Sequence, residues 1–330
     1  MKLISFLITY YNLEEWMLRR CIDSLLAQGI SRSDFEIIVV DDGSRQSPEN
    51  IIKSYQNSDI KFHRQSNGGP GAARNTAIKL AAGEYLLFVD GDDYLFEGAF
   101  NLLLPPLRKE YPDILTFSFQ YCSKQEPVKL LLNKPVFKTY NTGANYILLQ
   151  NLTGCNCLYL FRRQVVFQHN LCYTEGILHE DEEFITELFL CSEKILATDL
   201  PVYAYYKRSN SIVHHPSLKQ TERRLCDFLF VINRLQQFQK KRLLEATVEQ
   251  QSAIQKKIDF LALDFLLKIV RTRTPELYFQ KYSSRLKEMG LFPLPDRKYS
   301  LKYSIFRQLS DSRSGRKILR LLDKWRSKKF

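Results

Sequence analysis

The sequence predicts an α/β protein in which a mostly parallel sheet is flanked by helices and followed by a helical C-terminal region. Apolar runs alternate with segments of helical periodicity through the first 120 residues. Two of those runs end in clusters of aspartates, and from about residue 220 the periodicity is helical. Strands that are apolar on both faces and separated by helices are typical of parallel sheets covered on both sides.

Five runs in the first part of the chain have the length and apolar composition of buried strands. They are residues 3–9, 36–41, 60–64, 85–90 and 113–119. Less regular strand-like pieces occur near 128–132, 157–161 and 202–206. Because parallel strands end at one edge of their sheet, a ligand is expected beyond those carboxyl ends.

Several helices are predicted from periodicity and from their end signals. Residues 14–27 carry apolar side chains at i, i+4, i+7 and i+8 from Leu18, which indicates an amphipathic helix. Pro70 suits the first turn of another helix, and Gly83 is placed to end it. Helices are also expected over 182–191 and through 220–270, with a last one over 313–328.

The composition excludes several classes of protein. The 330 residues are 45% hydrophobic and 13% aromatic, so the chain is not mostly disordered. No apolar run is long enough to span a bilayer, and the first one begins too close to Met1 for a signal peptide. Seven scattered cysteines contain no Cys-x-x-Cys pair, so no structural zinc site is expected and a reducing compartment fits. We therefore expect a cytoplasmic protein.

The net charge of +12 is concentrated near the C-terminus. Residues 301–330 contain ten Lys or Arg and two Asp, so their net charge of +8 is two-thirds of the net charge of the chain. A helix over 313–328 would have an apolar face with a basic rim around it. The apolar face would consist of Ile318, Leu319, Leu322 and Trp325. The basic rim would consist of Arg316, Lys317, Arg320, Lys324 and Lys328. Residues 313–330 would thus suit an anionic membrane surface at the inner face of the plasma membrane.

One alternative to a membrane surface is open for this basic segment. The helix could equally pack on its own domain, with its Lys and Arg side chains forming a solvated face. Nucleic acid is not expected as a partner, because no recognisable reader module accompanies the charge.

Two acidic clusters follow predicted strands and point to a site at one edge of the sheet. Asp90-Gly91-Asp92-Asp93 places three carboxylates within four residues, and Asp41-Asp42 closes an earlier strand. Carboxylates this close repel one another, and a hard divalent cation with phosphate ligands would explain the arrangement. The alternative is a pair of acidic turns that face water or cap helices.

Five short motifs occur in the order and spacing of the family-2 inverting glycosyltransferases, which the sequence resembles most densely over residues 1–100. The motifs are Ile8-Thr9-Tyr10-Tyr11-Asn12, Val39-Val40-Asp41-Asp42-Gly43-Ser44, Asn67-Gly68-Gly69-Pro70-Gly71-Ala72-Ala73-Arg74-Asn75, Gly83-Glu84-Tyr85 and Asp90-Gly91-Asp92-Asp93. The resemblance resumes at 180–181 and at 206–212. It implies a GT-A fold and a nucleotide-diphosphate-sugar donor. Thr9 stands where the family usually has proline.

The resemblance implies roles for residues that would bind the nucleotide. Asp42 would lie at the nucleotide base, with Thr9 and Tyr11 lining the same pocket. A carboxylate can accept the imino N–H of uracil, and an aromatic ring can stack on the base. Arg74 would lie near the nucleotide or give structural support there.

The resemblance also makes Asp92 the direct ligand of Mn²⁺ or Mg²⁺. Asp90 would then meet the ribose or the waters around the cation, while Asp93 is expected to orient the segment that follows. A bound cation would stabilise the departing nucleoside diphosphate.

Asp181 is the implied general base, which would accept a proton from the acceptor hydroxyl. From the residues alone, the acidic run 180–183 is more simply an ordinary first turn of a helix, where negative charge is favourable. With an unperturbed pKa of about 3.9 this aspartate would be a weak base, so its proton transfer is expected to come late.

A segment over 206–212 resembles the Tyr-Arg-x-x-x-Ser-Ile loop of the family. Lys207 or Arg208 could there reach the diphosphate. His214 and His215 lie just beyond, and some related enzymes supply a metal ligand from a comparable place. An exposed histidine pair is the alternative.

We therefore expect a metal-dependent inverting glycosyltransferase that moves a sugar, from a UDP-sugar donor, to a glycan or lipid-linked acceptor in cell-surface polysaccharide biosynthesis. Residues 1–218 would form the catalytic domain, with a nucleotide-sugar half over 1–100 and an acceptor half over 101–218. Residues 219–330 would form the helical region.

Two other functions are considered, a sugar-phosphate nucleotidyltransferase and an inactive membrane-associated scaffold of the same fold. The first would have a Gly-rich loop with arginine after the first strand, where Tyr10-Tyr11-Asn12-Leu13 stands. Retention of the four aspartates 42, 90, 92 and 181 argues against the second.

Overall fold

Residues 2–207, 217–241, 246–272 and 275–327 are described by the computed structural model. The chain divides into two units, Met1–His214 and His215–Phe330. The assignment of donor and acceptor functions to parts of the first unit remains a prediction.

The strands of the first unit arise from the apolar runs of the sequence, and most are buried on both faces. Their bounds are β1 (Ile4–Tyr10), β2 (Phe35–Asp41), β3 (Ile60–Arg64), β4 (Tyr85–Asp90), β5 (Tyr94–Leu95), β6 (Ile114–Cys122), β7 (Lys138–Tyr140), β8 (Tyr159–Arg162) and β9 (Ile195–Tyr206). Within the described ranges they form one sheet of order β3-β2-β1-β4-β8-β6-β9-β5, with β7 paired to β9.

The sheet is parallel at one side and mixed at the other. Strands β3, β2, β1 and β4 are parallel, whereas β8 is antiparallel to both β4 and β6. Strands β6 and β9 are parallel, and β9 pairs antiparallel with β5 and β7. The predicted α/β class is therefore confirmed, with more antiparallel pairing in its second half than the first four strands indicate.

Seven described helices accompany the sheet in the first unit. They are α1 (Glu15–Leu26), α2 (Glu49–Ser54), α3 (Pro70–Leu80), α4 (Ala99–Glu110), α5 (Gly143–Leu149), α6 (Arg163–Gln168) and α7 (Glu180–Leu190). Helix α1 buries one face, as its periodicity predicts. Helix α7 begins at Glu180, two residues earlier than predicted, so Asp181 lies within its first turn.

Two predictions about local structure were wrong. Helix α3 ends at Leu80, three residues before Gly83. A Cβ at Gly83 would lie 2.5 Å from the backbone nitrogen of Ser5, so this glycine allows close approach to β1 and does not cap the helix. Residues 128–132 form no strand.

The second unit is helical in the described ranges. Its helices are α8 (Leu218–Lys241), α9 (Val248–Val270), α10 (Pro275–Glu288), α11 (Leu301–Ser310) and α12 (Arg313–Ser327). A capping box at Thr247 and Gln250 begins α9. None of the described helices is both long and apolar enough to cross a membrane.

Two basic side chains of α12 that were predicted to lie at a solvated rim contact the second unit instead. Arg316, expected on a solvated rim, forms an ion pair with Glu276 and lies 3.7 Å from the ring centroid of Phe279. Arg320 donates to the carbonyl of Thr272. These two basic side chains therefore contact their own unit, because a guanidinium can pair with a carboxylate and stack on a ring at once. The apolar side chains Ile318, Leu321 and Leu322 are exposed instead.

Candidate functional site

The ends of β1, β2 and β4 bring the predicted donor-site residues to one edge of the sheet. Thr9 pairs in register with Val40 of β2 and with Asp90 of β4. Asp42 follows β2 directly, and its N–H donates to the carbonyl of Tyr10. Tyr11 is half-exposed just beyond β1. The predicted convergence of the two acidic clusters at this edge is therefore what the structure has.

Asp42 is buried and its carboxylate already accepts four hydrogen bonds. They come from the side-chain amides of Gln65 and Asn67 and from the N–H groups of Gly68 and Gly69, at 2.8–3.1 Å. This carboxylate thus folds the 65–69 loop that leads into α3. A base bound at Asp42 would have to share these acceptor positions, because a carboxylate has about four lone-pair sites.

Asp41 has a structural role in the same turn. Its Oδ1 accepts from the N–H of Ser44 at 2.9 Å, and its Oδ2 lies 3.5 Å from Arg64. Gly43 has a φ of 73°, and a Cβ there would lie 2.7 Å from the nitrogen of Asn67. Glycine is therefore needed where this turn passes under the 65–69 loop.

The Asp90–Asp93 turn is held mainly through its last residue. Asp93 is buried and accepts hydrogen bonds from the Tyr203 hydroxyl and the Tyr206 N–H, both at 2.7 Å. It thus anchors the turn to β9, which is distant in sequence. Burial and the neighbouring Asp90 and Asp92 raise the pKa of the Asp93 carboxyl well above its usual range.

Arg20 on α1 also holds this turn, and no motif in the sequence singles it out. Its guanidinium donates to the backbone carbonyl of Asp92 and, at 2.9 Å, to that of Gln125. The cation lies 4.4 Å from the ring centroid of Tyr206 and 4.7 Å from that of Tyr94. Arg20 is therefore a positioning residue for the backbone that carries Asp92.

Arg74 joins the acidic turn to the start of α7. Its side chain is only 11% exposed; it forms an ion pair with Glu180 and lies 4.0 Å from Oδ1 of Asp90. Asn75, next along α3, exchanges hydrogen bonds with the backbone of Tyr173. This geometry gives Arg74 the supporting contact, which is one of the two roles expected from the sequence.

Asp181 follows Glu180 of this ion pair, and the pKa of its carboxyl differs from the value expected from the sequence. Burial, followed by the charges of Glu180 and Glu182, raises its pKa to about 7, while Arg74 and the Glu182 N–H lower it. The unperturbed value of about 3.9 assumed from the sequence was therefore wrong. A carboxylate with a pKa near 7 is a stronger base at neutral pH.

The chemistry of the Asp90–Asp93 turn fits a divalent cation. Mn²⁺ and Mg²⁺ prefer hard oxygen ligands, and after burial the charges of Asp90 and Asp92 raise the pKa of the Asp93 carboxyl, which is a like-charge repulsion that a cation would relieve. Among the described residues no group of three or more His, Cys, Asp or Glu side chains could hold a metal alone. Asp90 and Asp92 would hold a cation together with phosphate oxygens and water, as is usual for Mg²⁺.

Three candidate residues cannot be placed. Arg208, His214 and His215 lie outside the described residues. Lys207 is described: its N–H donates to the carbonyl of Cys122, and its ammonium group lies 4.0 Å from the ring centroid of Tyr121.

Comparison with known families gives a match across the part of the chain that contains most of this site. Residues 5–167 match the family model described as Glycosyl transferase family 2. The chain is 33% identical over 226 residues to the uncharacterized glycosyltransferase EpsJ of Bacillus subtilis, covering 65% of this chain and 64% of that protein. It is 31% identical over 211 residues to the poly(ribitol-phosphate) beta-glucosyltransferase of Bacillus spizizenii, covering 62% and 32%. The alignments thus span less than two thirds of either relative.

A solved structure resembles nearly the whole chain. The crystal structure of Staphylococcus aureus TarS in complex with UDP-GlcNAc aligns with a TM-score of 0.60 and 19% identity, covering 98% of this chain and 92% of that one. At this identity the likeness establishes the fold, which is the predicted GT-A fold.

Proposed function

We propose that the chain transfers a sugar from a nucleotide-diphosphate donor to a saccharide acceptor, and the match of residues 5–167 to the glycosyl transferase family 2 model supports this. The named relatives suggest a cell-surface polysaccharide as the product, and the UDP-GlcNAc complex of TarS suggests a UDP-sugar as the donor. The acceptor would be a glycan or a lipid-linked saccharide.

One observation carries this proposal, the Arg74 contact that connects Asp90 with the first turn of α7. Through this contact the Arg74 guanidinium lies beside both Asp90, a proposed donor-phosphate residue, and the first turn of α7, which carries the proposed base. A transferase that inverts the anomeric carbon needs a leaving-group site and a base at the same reacting carbon. The leaving group departs from one side of that carbon, and the base accepts the proton of the hydroxyl that attacks from the other side.

In the proposed reaction, separate residues would bind the nucleoside, hold the cation and accept the proton. Thr9, Tyr11 and Asp42 would bind the nucleoside, and Asp90 and Asp92 would hold a divalent cation at the diphosphate. Such a cation supplies Lewis-acid stabilisation of the leaving group. Asp181 would accept the proton of the acceptor hydroxyl as that oxygen bonds to the anomeric carbon. Arg208 would contact the diphosphate.

A peripheral membrane location would suit this reaction when the acceptor is lipid-linked. Helix α12 presents Ile318, Leu321 and Leu322 to solvent, with 46%, 66% and 54% of their surface exposed. Three neighbouring apolar side chains on a helix of basic composition are typical of interfacial helices. We include this membrane contact in the proposal.

The proposal is tested by supplying a panel of UDP-sugars with Mn²⁺ or Mg²⁺ and measuring release of UDP. Asp92→Ala is expected to abolish cation-dependent UDP binding in calorimetry. Asp181→Asn should retain UDP binding and lose transfer by about 100-fold or more, since general-base catalysis contributes about that much.

The outcomes separate the alternatives. A nucleotidyltransferase would release no UDP from UDP-sugars and would instead release pyrophosphate from UTP and a sugar 1-phosphate, which is assayed in parallel. The absence of UDP binding by the unaltered protein would indicate an inactive scaffold. Full transfer by Asp181→Asn would remove this aspartate from its role as base. Glu97→Gln, which changes an exposed carboxylate of the same unit, is the matched control.

A further inference from the structure

Three exposed aromatic side chains form a cluster on the strand pair β6–β9. Phe119, Tyr121 and Tyr205 expose 39%, 56% and 41% of their surface. Their ring centroids lie 5.1 Å apart for Phe119 and Tyr121, 5.5 Å for Tyr121 and Tyr205, and 6.4 Å for Phe119 and Tyr205. Contiguous exposed rings of this size mark binding surfaces more often than single exposed hydrophobic residues do.

The strand geometry makes this cluster continuous with the candidate site. Phe119 and Tyr121 alternate on one face of β6, and Tyr121 pairs in register with Tyr205 of β9. Tyr203 lies two residues before Tyr205, is buried, and donates to the Asp93 carboxylate. The exposed rings therefore extend the same face of β9 that contacts the Asp90–Asp93 turn.

The electrostatic surroundings agree with this position. Burial, and then the charges of Asp93, Asp90 and Asp92, raise the pKa of the Tyr205 phenol to about 12. Tyr205 thus remains a neutral hydroxyl at any physiological pH. Lys207 adds a cation at the rim of the cluster, 4.0 Å from the Tyr121 ring.

We propose that Phe119, Tyr121 and Tyr205 form a platform that binds the saccharide acceptor beside the candidate donor site. This inference rests on the proposed function, because it assigns the acceptor of that reaction to a place. The apolar C–H face of a pyranose ring can pack on an aromatic ring, while phenol hydroxyls and the Lys207 ammonium group bond to sugar hydroxyls.

A saccharide fits this surface better than an acyl chain does. Tyr121 and Tyr205 carry hydroxyl groups, and the Lys207 ammonium group lies over the Tyr121 ring. The surface therefore presents polar groups beside its apolar rings. An acyl chain would leave those polar groups without partners at a cost of free energy. The acceptor hydroxyl must also come within reach of the acidic edge, which this face of β9 adjoins.

The test is a binding measurement that does not require turnover. Chitotetraose, maltotetraose and cellotetraose are titrated at up to millimolar concentrations into the unaltered protein and its variants by calorimetry. The variant Tyr121→Ala/Tyr205→Ala is expected to lose about tenfold or more in affinity, as for two central aromatic contacts. Stacking recognises the face of a pyranose ring and not one linkage, so at least one of these oligosaccharides should bind.

Two further variants separate loss of the rings from loss of the fold. Tyr121→Phe/Tyr205→Phe keeps the rings and is expected to bind within about threefold of the unaltered protein. Phe167→Ala removes an aromatic ring that is 46% exposed on α6 and should leave saccharide affinity unchanged. Melting temperatures of all variants are compared alongside.

The platform is ruled out if the unaltered protein binds none of the three oligosaccharides, or if the double alanine variant binds as tightly as the unaltered protein. Loss of vesicle binding or of a dimer in that variant, with saccharide affinity unchanged, would also overturn it. Binding of UDP by the unaltered protein is measured separately, so a failure of the proposed donor chemistry is distinguished from a failure of the platform.

Discussion

The carboxyl group of Asp181 lies between two like charges and one opposite charge. Burial raises its pKa, the charges of Glu180 and Glu182 raise it further, and Arg74 lowers it, which together give about 7. Above that pH the group is ionised and can accept a proton; below it, the group is protonated and cannot. The environment thus sets the pH range in which this residue could act as a base.

We expect the transfer rate to rise as the pH increases through about 7 and then to level off. Arg74→Met removes a nearby cation that lowers the pKa of Asp181, so the rising part of the profile should move to higher pH. The measurement is the pH dependence of kcat for both proteins.

Arg108→Met serves as control for Arg74→Met. It removes an exposed arginine that pairs with Asp34, and its profile should match that of the unaltered protein. Identical profiles for Arg74→Met and the unaltered protein would show that Asp181 is not the titrating group.

Arg20 is expected to matter for metal-dependent nucleotide binding although it need not contact the nucleotide. Arg20→Met would remove the hydrogen bonds that the guanidinium donates to the carbonyls of Asp92 and Gln125, at a cost of about 1–3 kcal/mol. The affinity for UDP with Mn²⁺ should fall by about tenfold, as the turn that carries Asp92 loosens. Arg20→Lys should recover part of this loss, since it keeps the charge but not the planar fork.

Arg19, the preceding residue, provides a matched comparison for Arg20. It is partly exposed and pairs with Glu15 one turn away, an interaction that contributes little to stability. Arg19→Met should leave both UDP affinity and kcat unchanged. Equal effects of the two substitutions would show that Arg20 has no special role at the turn.

At the level of elements, the 65–69 loop shows how one buried carboxylate organises a segment. Asp42 follows β2 and accepts from two side chains and two backbone N–H groups of that loop. The loop then enters α3 at Pro70, and α3 carries Arg74 toward β4 and α7. A chain of local contacts therefore links the end of one strand to the candidate base.

In helix α12 two arginines contact the rest of their unit, while three apolar side chains are exposed to solvent. Its arginines 316 and 320 contact their own unit, whereas its exposed side chains include Ile318, Leu321 and Leu322. An exposed apolar face on a helix with many basic residues favours binding to an anionic bilayer.

We expect Leu321→Ser/Leu322→Ser to reduce binding to vesicles that contain phosphatidylserine by about tenfold or more, because each exposed leucine buried in lipid contributes about 1.5 kcal/mol or more. Vesicle flotation gives the bound fraction. Leu131→Ser, which changes a leucine that is 90% exposed in the first unit, should bind as the unaltered protein does. Unchanged flotation of the α12 variant would assign this face to another contact.

At the scale of the whole molecule, the sheet combines two kinds of pairing. The parallel strands β3-β2-β1-β4 place the ends of three strands at one edge, where Thr9, Asp42 and Asp90 lie. Beyond β4 the order becomes mixed, and β9 returns along β6 so that Tyr203 and Tyr206 reach Asp93. The first half thus supplies the acidic turns, and the second half holds one of them in place.

The sequence alone determined the four parallel strands, the fold class and the edge at which the acidic turns meet. Short apolar runs bounded by turn residues indicate buried strands, and parallel strands end together, so these features need only local information. The tertiary structure decided the contacts between residues that are far apart in the chain. Arg20 reaches Asp92, Arg74 pairs with Glu180, and burial beside like charges raises the pKa of Asp181. Such electrostatic properties depend on distance and solvent exclusion, which no local pattern of residues contains.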